Sequence, residues 1–235
     1  MLPLTQDIKT ALEKQADAKR ATQMQAYMKS AMPFYGVPAP TVTKICQSVF
    51  KANPIDTQVT WHAAILDLWR EATHREQRYV AENLAGVKRF REFQSPKSYP
   101  MYREIIVDGA WWDLVDGVVH RLGEILVDYP KAGRKKMTAW MNASNLWQRR
   151  AAILCQLKLK DSTNEDLLFT AIEVNMHDQE FFIRKAIGWA LRNHAKTNPQ
   201  TVVSFVSSHA SELSPLSKKE ALRILLKDGL IDTIP

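Results

Sequence analysis

Glycine is scarce in this chain, at 8 of 235 residues, and no stretch alternates Val, Ile or Thr with polar residues between Asn-Gly or Asp-Gly turns. A turn-rich β fold is thereby excluded, because hairpins need residues that accept positive φ and strands need a period of two. Cysteine is scarcer still. Cys46 and Cys155 have no spacing partners for a zinc site or a disulfide framework, so buried thiols in a reducing compartment are expected. No apolar run approaches the ~18 residues of a membrane-spanning helix. The opening residues, MLPLTQDIKTALEK, lack the basic-then-apolar layout of a signal peptide. A soluble, cytoplasmic protein with no membrane partner is expected. His62, His74, His120, His177, His194 and His209 form no HExxH or Cys/His pattern, and GxxxxGKS/T, GxGxxG and GxSxG are missing. Neither a metal nor any other cofactor is expected.

What is present favours helix: Ala, Leu, Lys, Arg, Gln and Glu dominate. Hydrophobic residues at 46% and charged residues at 24% are ordinary for a globular chain rather than a disordered one. The net charge of +7 points to a polyanionic partner, nucleic acid first; charge alone is equally compatible with a basic protein that has none. Apolar residues recur with a 3.6-residue period between Pro, Asp, Asn and Ser breaks, which predicts helices over 4–16, 18–31, 40–52, 57–71, 75–90, 98–108, 111–127, 131–142, 146–159, 163–176, 179–196, 199–209 and 215–228. Asp161, Ser162 and Thr163 offer N-caps, and Pro199 and Pro215 suit first turns. The loop from Met32 to Pro40, with three prolines and one glycine, is expected to be the stiffest connector.

A step of 35 residues exposes a repeat. Cys46, Ala81, Asp116, Ala151, Ala186 and Ala221 fall in one register, and three positions on come Val49, Leu84, Val119, Leu154, Trp189 and Ile224. Small, then apolar three later, is what stacked helix pairs require, because the small side chain allows close approach. The expected fold is all-α: one HEAT-like repeat solenoid over residues 1–235, about six antiparallel helix pairs with a concave basic face, working as a monomer. Asp116 breaks the register. A carboxylate at a packing position is costly unless it is solvated, salt-bridged or set in a functional cleft.

Trp112 stands four residues before Asp116, on the same helical face. Trp147-Gln148-Arg149-Arg150 opens the helix one repeat later, and Phe181 to Trp189 lies one repeat beyond. Equivalent positions of successive repeats line one surface, so Trp112, Asp116, Arg150 and Trp189 could meet there. Each has a plainer reading: tryptophans at helical spacing are more often core, arginine pairs more often a solvated face, and Gly188-Trp189 a device for tight packing.

The segments AYMKS (26–30), WWDLVD (111–116), NLWQRRAAIL (145–154), EFFIRKAIGWALRNHAKTNP (180–199) and SPLSKKEAL (214–222) resemble the AlkD family of bacterial DNA alkylation repair glycosylases. The resemblance implies a HEAT-like fold that binds duplex DNA containing alkylated bases and excises N3- and N7-alkylated purines without a cofactor. It implies that Asp116 is the catalytic carboxylate, Trp112 and Trp189 the aromatic walls, Arg150 a base at the DNA backbone near the lesion, and Tyr27 a DNA contact. Lys29, Arg149, Arg184, Lys185 and Arg192, in or beside the same segments, are expected to bind DNA as well. The family's glutamine in the first loop is replaced by Pro38, and its acidic-plus-arginine stretch by Thr41-Val42-Thr43-Lys44. The alternatives are a HEAT-like protein that binds damaged or branched DNA without excising anything, and a peptide-binding scaffold with no DNA role.

Overall fold

A computed structural model describes residues 1–235. It is all-helical: thirteen α-helices and three short 3-10 turns, with no strand. All thirteen expected helices are present. No helix is long and apolar enough to cross a membrane. The chain divides into two compact units, Met1–Gln94 and Ser95–Pro235.

The first unit contains α1 (Pro3–Glu13), α2 (Ala18–Met28), α3 (Ala39–Ala52), α4 (Gln58–Arg70) and α5 (Arg75–Ala85). Asp17 caps α2 by accepting from the Arg20 amide at 3.0 Å, and Thr57 with Thr60 closes a reciprocal capping box on α4. Ile8, Leu12, Trp61, Ile65, Leu68, Trp69 and Leu84 are fully buried. The loop between α2 and α3 is held by one buried side chain. Glu76, at the start of α5, accepts from the amides of Tyr35 (3.0 Å), Gly36 (2.8 Å) and Val37 (3.1 Å). Gly36 has φ +83°, and a Cβ there would lie 2.1 Å from the Asp17 carbonyl oxygen, so both its conformation and its space demand glycine. The prolines predict stiffness; the three-amide grip of Glu76 is what fixes the shape.

The second unit contains α6 (Tyr99–Gly109), α7 (Trp112–Asp128), α8 (Pro130–Met141), α9 (Leu146–Leu154), α10 (Glu165–Glu173), α11 (Phe181–His194), α12 (Pro199–Ser208) and α13 (Pro215–Lys227). The expected register positions fall on α3, α5, α7, α9, α11 and α13, the second helix of each pair. In this unit α7 packs on α9, α9 on α11, and α11 on α13. Ala151, Ala186 and Ala221 are completely buried at those contacts. The repeat is also written in the hydrogen bonds between layers. Asn175 donates to the Met141 carbonyl 34 residues back, Ser217 to Arg184 at 33, and Lys185 to Glu220 at 35. Gly188 sits where a Cβ would meet Glu220 Cβ at 2.5 Å and the Ser217 carbonyl at 2.9 Å, so the packing reading of that glycine holds.

Helix starts follow their caps, while several ends fall short of expectation. Lys29 turns left-handed (φ 50°) and stops α2 at Met28 rather than residue 31. The segment expected to be helical to residue 159 leaves the helix at Leu154, and the chain makes a 3-10 turn at Lys160–Ser162. Asp161, Ser162 and Thr163 are therefore not the caps of α10. Asn164 is, accepting from the Leu167 amide at 2.9 Å. Pro199 and Pro215 do open α12 and α13, with Asn198 and Ser214 as caps. Cys46 and Cys155 are buried free thiols, pushed up to about 12 by desolvation, which makes both poor nucleophiles.

Removing the Glu76 carboxylate strands three buried amides, each costing about 1–3 kcal/mol. Glu76→Ala is expected to lower unfolding free energy by at least about 3 kcal/mol in urea titration; a loss below about 1 kcal/mol would show that water satisfies the loop instead.

Candidate active site

Asp116 lies on the second turn of α7, five residues into a helix that opens at Trp112. Its neighbours Val115, Val118 and Val119 are buried and hold that face of α7 inward. Arg150, on α9, is fixed by the adjoining buried Ala151 and Ala152 and by Asn145, which caps α9 through the amides of Trp147 (3.0 Å) and Gln148 (3.1 Å). From there the guanidinium reaches both neighbouring layers. Nε donates to Asp116 Oδ1 at 2.9 Å and Nη2 to Oδ2 at 2.7 Å, a two-pronged pair. Nη1 donates to the Phe182 carbonyl at the start of α11, at 2.6 Å. The side chain of Arg150 is 5% exposed and that of Asp116 14%. Asp116 is thus salt-bridged, one of the readings its broken register allowed.

An aromatic cluster supports this bridge. Trp111 packs edge-on against Phe182 at 5.2 Å, and Trp147 lies 5.0 Å from Phe182. Trp112 points away from that cluster and is 36% exposed. Trp189 is half-buried and seven residues past Phe182. Seven residues are nearly two full turns, so the two side chains share a face of α11, with Trp189 about 10 Å further along the axis. The aromatic side chain beside the bridge is Phe182, whose ring lies 6.0 Å from the Arg150 guanidinium.

Burial raises the Asp116 carboxyl above the ordinary aspartate range; the hydrogen bonds and charge of Arg150 offset part of this, and Asp113 adds a smaller upward push. Glu220 moves the other way. Its burial is outweighed by hydrogen bonds from Lys185 and Arg192, which hold it below the usual glutamate value. The two pairs differ chiefly in depth. Each Asp116 oxygen accepts one N–H and keeps a second acceptor position, so the carboxylate can still face a cation or a water.

The residues expected to bind DNA fare differently from one another. Tyr27, 78% exposed on α2, and Lys29, exposed at its end, belong to the first unit and are open to solvent. In the second unit every expected base has an internal partner. Arg149 pairs with Asp178 at 2.8 Å and donates to the carbonyls of Ala143 and Ser144. Arg184 donates to the Gln179 carbonyl, and Lys185 and Arg192 both hold Glu220. Arg149, Lys185 and Arg192 thus join neighbouring layers through their carboxylate partners. Asp178, Glu220 and the Phe182 carbonyl were not singled out from sequence. Two of these partnerships follow from the repeat period: Asp116 and Arg150 are 34 residues apart, Lys185 and Glu220 35. No group of three or more His, Cys, Asp and Glu side chains is placed to hold a metal ion.

Comparison with known proteins gives a consistent answer. A family model described as DNA alkylation repair enzyme matches residues 8–225. A solved structure of a predicted DNA alkylation repair enzyme from Enterococcus faecalis is 33% identical, with 91% of this chain and 98% of that one covered at a TM-score of 0.75. No curated protein matches. The match takes in both tryptophans, Asp116 and Arg150, and the chain belongs to the AlkD-like family of DNA alkylation repair enzymes.

Proposed function

We propose that this protein is a DNA glycosylase that hydrolyses the N-glycosidic bond of N3- or N7-alkylated purines in duplex DNA, with Asp116 as the catalytic carboxylate and Trp112 and Trp189 beside the sugar. The observation that carries the reading is a buried, two-pronged carboxylate–guanidinium pair beside an aromatic cluster. Alkylation at N3 or N7 gives the purine a positive charge, so the base departs as a neutral molecule without a proton from the protein. What the site must then stabilise is the cationic charge that develops on the sugar. A carboxylate held in a partly dry setting does this without reorganising, and its free acceptor positions can orient the attacking water. Indole faces add attraction for the same cation, each worth about 0.5–2 kcal/mol.

Arg150 is a positioning residue in this mechanism. Its two hydrogen bonds to Asp116 fix both carboxylate oxygens in one plane. Tyr27 and Lys29 remain available for DNA contacts. A protein that only bound damaged or branched DNA would need no carboxylate with free acceptor positions here.

Three measurements test the reading. With duplex DNA carrying one N7-methylguanine, wild type is expected to release free base and Asp116→Asn to do so at least about 100-fold more slowly; release unaffected by the substitution would remove Asp116 from the chemistry. Because only the ionised carboxyl stabilises the cation and burial raises its pKa, single-turnover excision should decline on acidification with a midpoint above the ordinary value of about 3.9. A rate that stays flat to about pH 4 contradicts this. Trp189→Ala should slow excision by roughly 3- to 30-fold while lesion-free duplex binding is unchanged, and equal losses in both would make Trp189 a binding residue only.

A further inference from the structure

The expected DNA-binding bases of the second unit each have an internal partner, and the unit carries other cations that have none. Lys158 and Lys160, in the turns after α9, and Lys196, just past the end of α11, are exposed and take part in no ion pair or side-chain hydrogen bond. All three line one cleft with Asn193, Thr197 and Leu157, and no acidic residue lines it. Asp161, Glu165 and Asp166 line a neighbouring cleft that shares Lys160 and Thr197 with this one. Glu165 is there committed to His194 and Asn198.

The cleft continues the faces that build the Asp116 site. Trp189, Asn193 and Thr197 are spaced by four on α11 and its C-terminal turn, one stripe along the helix. Trp112, Asp116 and His120 are spaced by four on α7. The turn after α9 packs on α7 at Gly123, where a Cβ would lie 2.2 Å from the Cys155 carbonyl oxygen and 3.6 Å from Leu159; desolvation and, to a lesser extent, the charge of Lys158 hold the His120 imidazole down at about 4. Lys160 holds its place with φ 50°, a left-handed conformation rare for a lysine, so its backbone is bent to present that side chain.

We propose that Lys158, Lys160 and Lys196 form a clamp for backbone phosphodiesters of DNA, with Asn193 and Thr197 as neutral hydrogen-bond donors. The proposal rests on the DNA-repair reading given above.

The experiment is the salt dependence of binding to lesion-free duplex DNA, followed by fluorescence anisotropy, for wild type and K158A/K160N/K196A; asparagine at 160 tolerates the left-handed backbone. Loss of three phosphate contacts should make the slope of log Kobs against log salt shallower by about 2.7. The rate of base release at saturating DNA should stay within about twofold, because no reacting atom is touched. An unchanged slope overturns the clamp, as does an equal flattening in K131A/K135A, which removes two exposed lysines of α8. The single variant K196A, expected to lose about 0.9 in slope, guards against a folding defect in the triple. The binding slope is read independently of excision. A wild type that binds steeply but releases no base would sink the glycosylase reading while a flattened variant slope still supports the clamp. Binding indifferent to salt would overturn the clamp outright.

Discussion

One guanidinium determines the geometry of the candidate site. Arg150 stands on α9 and bonds forward to α11 and back to α7, so three layers meet at a single planar group. A buried pair of this kind adds little to net stability, since two ions have lost their water. Its value is positional. Removing either partner leaves the other charged and dry, a cost of several kcal/mol, so neither can drift from its place without penalty. The layers can then transmit a fixed orientation to Asp116 although α7 and α9 belong to different repeats.

The same economy recurs one layer on. Glu220 gathers Lys185 and Arg192, and Arg149 gathers Asp178 and two carbonyls. Cations that read as a nucleic-acid face in the sequence thereby also join repeats. The net charge of +7 is expressed through other residues as well, and the unpaired lysines beyond the α9 and α11 ends are among them. Internal pairing and external attraction draw on one set of side chains, and position within the repeat decides which use each serves.

Much of this was legible in the sequence. Every helix was visible because apolar spacing and first-turn prolines such as Pro199 and Pro215 act locally, and local chemistry survives in a one-dimensional string, although the cap of α10 is Asn164 and not the preceding Asp161, Ser162 or Thr163. The 35-residue register correctly placed Ala151, Ala186 and Ala221 in the packing seam and marked Asp116 as its exception. Helix ends were harder. Leu157 and Leu159 prolong the apolar pattern past Leu154, but they pack from turns, and spacing alone does not separate the two. Partner choice was harder still, because Arg149 and Arg192 carry the same charge whether they face solvent or a carboxylate. Only the fold brings Asp178 and Glu220 to them.

In the proposed mechanism, the pairing of Asp116 explains how a carboxylate can lie where a polyanion must approach. Joined to Arg150, it no longer acts on its surroundings as a monopole. A charge and its counter-charge less than 3 Å apart form a dipole, whose potential falls with the square of distance rather than its first power. A phosphate several ångströms away meets almost no net repulsion. A sugar atom in contact with the exposed oxygen edge still meets a local negative potential, because the guanidinium lies behind it. The pair is therefore short-sighted by construction: nearly invisible to the backbone that must approach, and negative only at touching distance.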